Sequence, residues 1–117
     1  MSKYITSFTY SNGSWARMIS SPGDRTKAAR RTLESLGGSL ECLYWQLASH
    51  DGFAISDLPD TVSAYAVTSA VAKTGAFKSV ETHELFTQKQ FCEILCLARD
   101  IAEVYEAPGQ VALGPHR

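Results

Sequence analysis

Apolar and polar residues divide the chain into short strand-like and helix-like stretches. Residues 3–10 carry Tyr4, Ile5, Thr6, Phe8, Thr9 and Tyr10, a density of β-branched and aromatic side chains that predicts a strand. Ser11-Asn12-Gly13 breaks it. Residues 14–19, with Trp15, Met18 and Ile19, are read as a short helical turn interrupted by Ser20-Ser21-Pro22-Gly23. Asp24 is then placed to cap a longer helix. In that helix Ala29, Leu33 and Leu36 fall at i, i+4, i+7 on one face, while Arg25, Lys27, Arg30, Arg31 and Glu34 cover the rest. Gly37-Gly38 supplies its stop.

Residues 40–47 read as a strand with two largely apolar faces: Leu40, Cys42, Tyr44 and Gln46 on one, Glu41, Leu43, Trp45 and Leu47 on the other. A sheet open to water on one side alternates apolar with polar, so this pattern requires a cover on both faces. The short Ser49-His50-Asp51 link to a strand over residues 52–58 makes an antiparallel hairpin. Asp60 caps a helix of small side chains running to about Lys73. Residues 77–86 form a last strand with one unusually polar face. Thr87 caps a final helix over residues 88–106, whose stripe is Phe91, Ile94, Leu95, Ala98, Ile101, Ala102 and Tyr105. No internal repeat or low-complexity tract is visible.

The order β, α, β, β, α, β is two βαβ units split by a hairpin. It predicts an α+β, ferredoxin-like domain with a four-stranded antiparallel sheet, helices on one face and an added C-terminal helix. Residues 1–107 are assigned to this domain and residues 108–117 to a flexible tail. The apolar second face of residues 40–47 calls for a partner. A Trp, Tyr or Leu gains roughly 1.5–3 kcal/mol by burial, so a two-fold dimer packing sheet on sheet is expected. The rival cover is the C-terminal helix of the same chain.

Composition narrows the function classes. A chain of 117 residues with net charge -1 and 20% charged residues fits one globular domain with no global field to hold nucleic acid. No apolar run approaches the roughly 18 residues of a membrane span. Three cysteines, with no apolar leader at the N-terminus, fit a reducing, cytoplasmic setting.

The chain resembles the GYD domain family over about residues 3–95. The resemblance is carried by Lys3-Tyr4-Ile5, by Glu34-Ser35-Leu36-Gly37-Gly38-Ser39-Leu40-Glu41, and by Gly52-Phe53-Ala54-Ile55-Ser56-Asp57-Leu58-Pro59-Asp60. Leu85-Phe86-Thr87 is similar to the family's lead-in to the last helix. Where the family carries Gly-Tyr-Asp, this chain has Ser49-His50-Asp51 and keeps only the aspartate. The resemblance implies a small bacterial protein with a ferredoxin-like fold of the dimeric α/β-barrel type. It implies fold and dimerisation more than activity; some dimeric α/β-barrel relatives are monooxygenases or isomerases.

The candidate catalytic residues are His83, Glu81, His50 and Asp51. Asp51 beside His50 on a turn could orient the imidazole, or simply brace the turn backbone. Glu81 and His83, two apart, share one strand face as an acid/base pair, half of a metal site, or a solvated or dimer-contact surface. If that face looks into the sheet–helix cleft, the candidate ligand-binding residues Tyr10, Trp15 and Trp45 line the same space. Arg25, Lys27, Arg30 and Arg31 at a helix start could attract an anion, or form a solvated face. Cys92 and Cys96 are helix neighbours, read as free thiols or an oligomer contact; two thiols and an outside His could in principle hold Zn²⁺. No metal site and no cofactor is assigned, and there is no P-loop, dinucleotide glycine motif or nucleophile elbow. The expected function is a small-molecule-binding or regulatory homodimer or higher homo-oligomer. The alternatives are a cofactor-free monooxygenase- or isomerase-type enzyme and a structural assembly module.

Overall fold

The computed structural model describes residues 1–109. The chain divides into two compact units, Met1–Leu85 and a second beginning at Phe86. The proposed tail boundary at residue 108 falls in the second unit, and residues 110–117 lie outside the described residues.

The first unit is α+β. Its elements are β1 (Ser2–Tyr10), α1 (Asn12–Ser20), α2 (Thr26–Glu34), β2 (Ser39–Trp45), β3 (Gly52–Leu58), α3 (Thr61–Lys73) and β4 (Phe77–Leu85). The four strands form one antiparallel sheet in the order β2-β3-β1-β4. This is the ferredoxin-like arrangement expected from the element order.

Alternation along each strand separates two faces. Tyr4, Phe8 and Tyr10 of β1 are buried on the face that carries the helices. Across the register their neighbours are Ser56 and Gly52 on β3, and Glu84, Val80 and Phe77 on β4. Tyr4 and Leu58 pack with Leu33 of α2 and Ala64 of α3 as the centre of the core. The tyrosine hydroxyl reaches Thr61 Oγ1 at 3.2 Å, so its polar end is satisfied at the α3 N-terminus. Ala64 is small enough to let α3 lie close on the sheet, and Asp60 caps that helix by accepting from the Ser63 N–H at 2.8 Å. Leu58 is 2% exposed; Leu58→Ala is expected to lower unfolding stability by about 2–5 kcal/mol, measured by urea denaturation.

Several local expectations are corrected. Ser11-Asn12-Gly13 ends β1 as expected, but the helix expected from residue 14 already starts at Asn12, because Ser11 caps α1 by accepting from the Ser14 N–H at 3.2 Å. Asp24 stands one residue outside the cap position of α2, which is Arg25. Its carboxylate accepts from the Thr26 N–H at 2.9 Å, a bond that also holds its pKa below the ordinary carboxylate value. Leu36 lies beyond the end of α2 and is exposed.

β2 ends at Trp45, and a bulge between Leu40 and Cys42 resets its alternation. Leu40, Leu43 and Trp45 therefore share the helix-side face, leaving Glu41, Cys42 and Tyr44 on the outer one. Gln46 and Leu47 belong to the turn, where both N–H groups donate to the Asp51 carbonyl. The strand is less apolar on its second face than its sequence implies: Lys3 binds the carboxylates of Glu41 and Asp57 there.

The second unit holds α4 (Gln88–Ala102), opened by a capping box between Thr87 and Gln90. It is shorter than the expected 88–106, so Tyr105 lies past its end. None of its residues is buried. Among the described residues no helix is long and apolar enough to cross a membrane.

Candidate functional site

β1 ends at Tyr10, β2 ends at Trp45 and β4 begins at Phe77, all at one end of the sheet. The aromatic side chains of the helix-side face collect there. The Tyr10 ring lies between Phe77 (centroids 4.8 Å, planes 24° apart) and Trp45 (5.9 Å, 20°). Phe8 meets Tyr10, Trp45 and Phe77 edge-on at 5.4, 5.5 and 5.6 Å. These are the offset and T-shaped geometries that aromatic quadrupoles favour. Gly52 opens the space for them, since a Cβ there would lie 2.9 Å from the Phe8 ring and 3.0 Å from Trp45.

Asp51 fixes the cluster from below. Its side chain is buried, and Oδ2 accepts from the Tyr10 backbone N–H at 2.8 Å and the Trp15 indole N–H at 3.2 Å. Trp15 stands edge-on to Tyr10 at 6.0 Å. Trp15 thus braces the aromatic group from α1, and Tyr10 and Trp45 line the open space beside it.

That space is a cavity of about 590 Å³ between α1, the segment leading to α2, and the sheet end. Tyr10, Trp45 and Phe77 form its aromatic side; Ser14, Arg17 and Arg25 bring polar groups and charge. A second cavity of about 170 Å³ lies deeper, between α2, α3 and the sheet, with Ala29, Leu33, Ala54, Val67 and Val80 in its walls. Tyr10, Arg25 and Phe77 line both. Burial raises the pKa of the Tyr10 phenol above its ordinary value, the Arg25 guanidinium facing it draws it back, and the Asp51 carboxylate adds to the rise. The phenol is therefore a neutral donor at physiological pH. Arg17 Nη2 donates to Ser14 Oγ at 3.2 Å. Among the described residues neither Arg17 nor Arg25 is paired with a carboxylate.

The remaining candidates meet on the opposite face of the sheet. Glu81 and His83 alternate outward on β4, and His50 reaches them from the β2–β3 connection. Glu81 Oε2 lies 3.7 Å from the Nε2 of both His50 and His83. These distances exceed direct hydrogen bonds, and a single water can bridge such a gap. His50 Nδ1 is buried without a hydrogen-bond partner. Three of the four candidate catalytic residues are thus brought together, and Asp51 turns to the other side of the sheet, where it braces Tyr10 and Trp15 instead of His50.

Of the four basic residues at the α2 start, only Arg25 reaches the cavity; Lys27 and Arg30 act electrostatically on Asp24. Sequence reasoning missed Arg17, Phe8 and Phe77. The i+3 spacing of Ser14 and Arg17 on a helix is the signal that would have found the arginine, once residues 12–20 are read as helix. Cys92 and Cys96 are exposed free thiols. Among the described residues no group of three or more His, Cys, Asp or Glu side chains is arranged to hold a metal ion.

No curated protein and no solved structure matches this chain. A family model, described as GYD domain, matches residues 4–95. That span takes in the sheet from Tyr4 onward, α1 to α3, the aromatic cavity and the first half of α4, and the chain belongs to the GYD domain family.

Proposed function

We propose that the protein is a homodimer that binds a small organic molecule in the cleft between sheet and helices. The observation that carries this reading is the cavity of about 590 Å³ with a stacked aromatic wall and two guanidinium groups that have no carboxylate partner among the described residues. Its size falls within the roughly 300–1,000 Å³ of ligand sites, and an apolar lining with a few polar groups is their usual composition. Pairing of two outer sheet faces is supported by Ile5, Phe53 and Ile55, which lie on that face with Tyr44, itself 60% exposed. A two-fold pair would bring these residues out of water.

Native mass spectrometry of freshly purified protein tests both parts. The expected result is twice the chain mass with an additional retained small mass. Ile55→Glu, a charge in the middle of the outer face, is expected to give monomer that still retains the small mass. Trp45→Ala is expected to keep the dimer and lose the small mass. A wild-type monomer at micromolar concentration overturns the pairing.

A second reading, a cofactor-free enzyme, rests on the placement of Glu81 between the imidazoles of His50 and His83. Paired sheets would close over this cluster and exclude bulk water. If His83 takes part in chemistry, His83→Ala retains a species of different mass from that held by wild type, with the dimer intact. Loss of the dimer in that variant marks His83 as structural.

A further inference from the structure

The two cavities on the helix side share a wall, and that wall has a defined chemistry. Tyr10, Arg25 and Phe77 line both. On the outer side Arg17 and Arg25 present positive charge, and the Tyr10 phenol, its proton held by burial, presents a donor. One carboxylate, Asp24, also lines the outer cavity, where its Oδ1 accepts from the Thr26 N–H, so two guanidinium groups face a single carboxylate there; Asp51 is engaged by Tyr10 and Trp15. An anion is the group such a set of donors accommodates, and a planar carboxylate matches a guanidinium fork.

The inner cavity is the opposite environment. Ala29, Leu33, Ala54, Val67 and Val80 supply methyl groups to its walls. Three hydroxyl-bearing residues also line it: Thr6, whose hydroxyl is paired with Thr82, Thr32, whose hydroxyl donates to the Ala28 carbonyl, and the buried Ser56. Its volume of about 170 Å³ compares with the roughly 150 Å³ of an apolar cavity that takes up benzene.

We infer that the two cavities form one site for a small hydrophobic carboxylate, with a benzene-sized apolar group in the inner cavity and the carboxylate on Arg25 at the shared wall. This rests on the cleft being the ligand site, and adds to it the class of ligand and the orientation in which it lies. Arg17 sits in the outer cavity as a second cation, able to hold a longer acid that reaches further out.

Calorimetric titration of the full-length protein with phenylacetate and with phenylacetamide, its neutral counterpart, tests the assignment. Phenylacetate is expected to bind at least about tenfold more tightly than the amide, because a hydrogen-bonded charge is replaced by a neutral group. Arg25→Gln is expected to remove that preference through loss of phenylacetate affinity; Arg25 is exposed, and thermal melting checks that the variant is folded. Ala29→Leu fills the inner cavity from α2 and is expected to abolish binding of both compounds. Equal binding of acid and amide, or an unaltered preference in Arg25→Gln, overturns the carboxylate assignment and leaves the cleft standing as a ligand site. Binding that survives Ala29→Leu, with thermal melting showing the variant folded, overturns the inner-cavity placement. Failure of both compounds to bind wild type, together with no retained small mass in the native spectrum, overturns the cleft reading itself.

Discussion

Asp51→Ala is expected to lower unfolding stability by about 3 kcal/mol, read as a fall in the urea midpoint. The backbone bonds of residue 51 survive the change: its N–H donates to the Phe8 carbonyl at 2.8 Å, and its carbonyl accepts from Gln46 and Leu47. What is lost is a buried oxygen serving the Tyr10 N–H and the Trp15 indole N–H. A buried donor left without an acceptor costs about 1–3 kcal/mol. Two such donors share one oxygen, and the neighbouring cavity admits water, so the sum falls short of twice the upper figure. Asp51→Asn keeps a carbonyl oxygen in reach of the same donors and is expected to cost about 1 kcal/mol. A loss in Asp51→Ala no larger than in Asp51→Asn would show that water replaces the carboxylate fully.

Gly38→Ala is the second large effect, at the upper end of about 1–3 kcal/mol, measured by thermal or urea denaturation. The α2 helix ends with Gly37 in the left-handed region, at φ 76, and with the Gly38 N–H donating to the Leu33 carbonyl at 3.0 Å. The chain then passes directly against β3. A Cβ on Gly38 would fall on the Asp57 carbonyl oxygen and 2.6 Å from Leu58 Cδ2. Backbone and a core side chain must both move, and Leu58 is at the centre of the core. Gly37→Ala meets no atom within 4 Å and is expected to cost about 1 kcal/mol, from the backbone conformation alone. The paired glycines thus act for different reasons, one through its dihedral angle and the other through lack of a side chain. Similar losses in the two variants would refute that division.

Most elements are legible because their signals are local. Asp60 and Thr87 each sit one residue before a helical segment and cap it, so the starts of α3 and α4 are correctly placed. The strand over Gly52–Leu58 is bounded by a turn and a proline and matches its expected limits. The β2 strand is harder, because the bulge between Leu40 and Cys42 depends on how β3 pairs with it. Strict alternation carried across that point assigns Leu40 and Leu43 to opposite faces, when they share one. The candidate site is partly legible for the same reason. Tyr10 and Trp45 are singled out as candidates for a ligand, and His50, Glu81 and His83 as candidates for proton chemistry. That these two groups lie on opposite faces of one sheet follows from which face the helices cover, and no single strand encodes it. Asp51 is conspicuous beside His50, yet its partners, Tyr10 and Trp15, are fixed by long-range pairing.

The bulge in β2 has a consequence for how copies of this chain can associate. β2 is an outermost strand of the sheet, and its free backbone edge is the natural template for adding a further strand. The extra residue at Glu41 breaks the even spacing of donors and acceptors along that edge and increases its twist. The carboxylate of Glu41, held by Lys3, adds charge beside the break. A neighbouring chain arriving side-on meets an irregular ladder and a charge, which opposes growth into open-ended strand arrays.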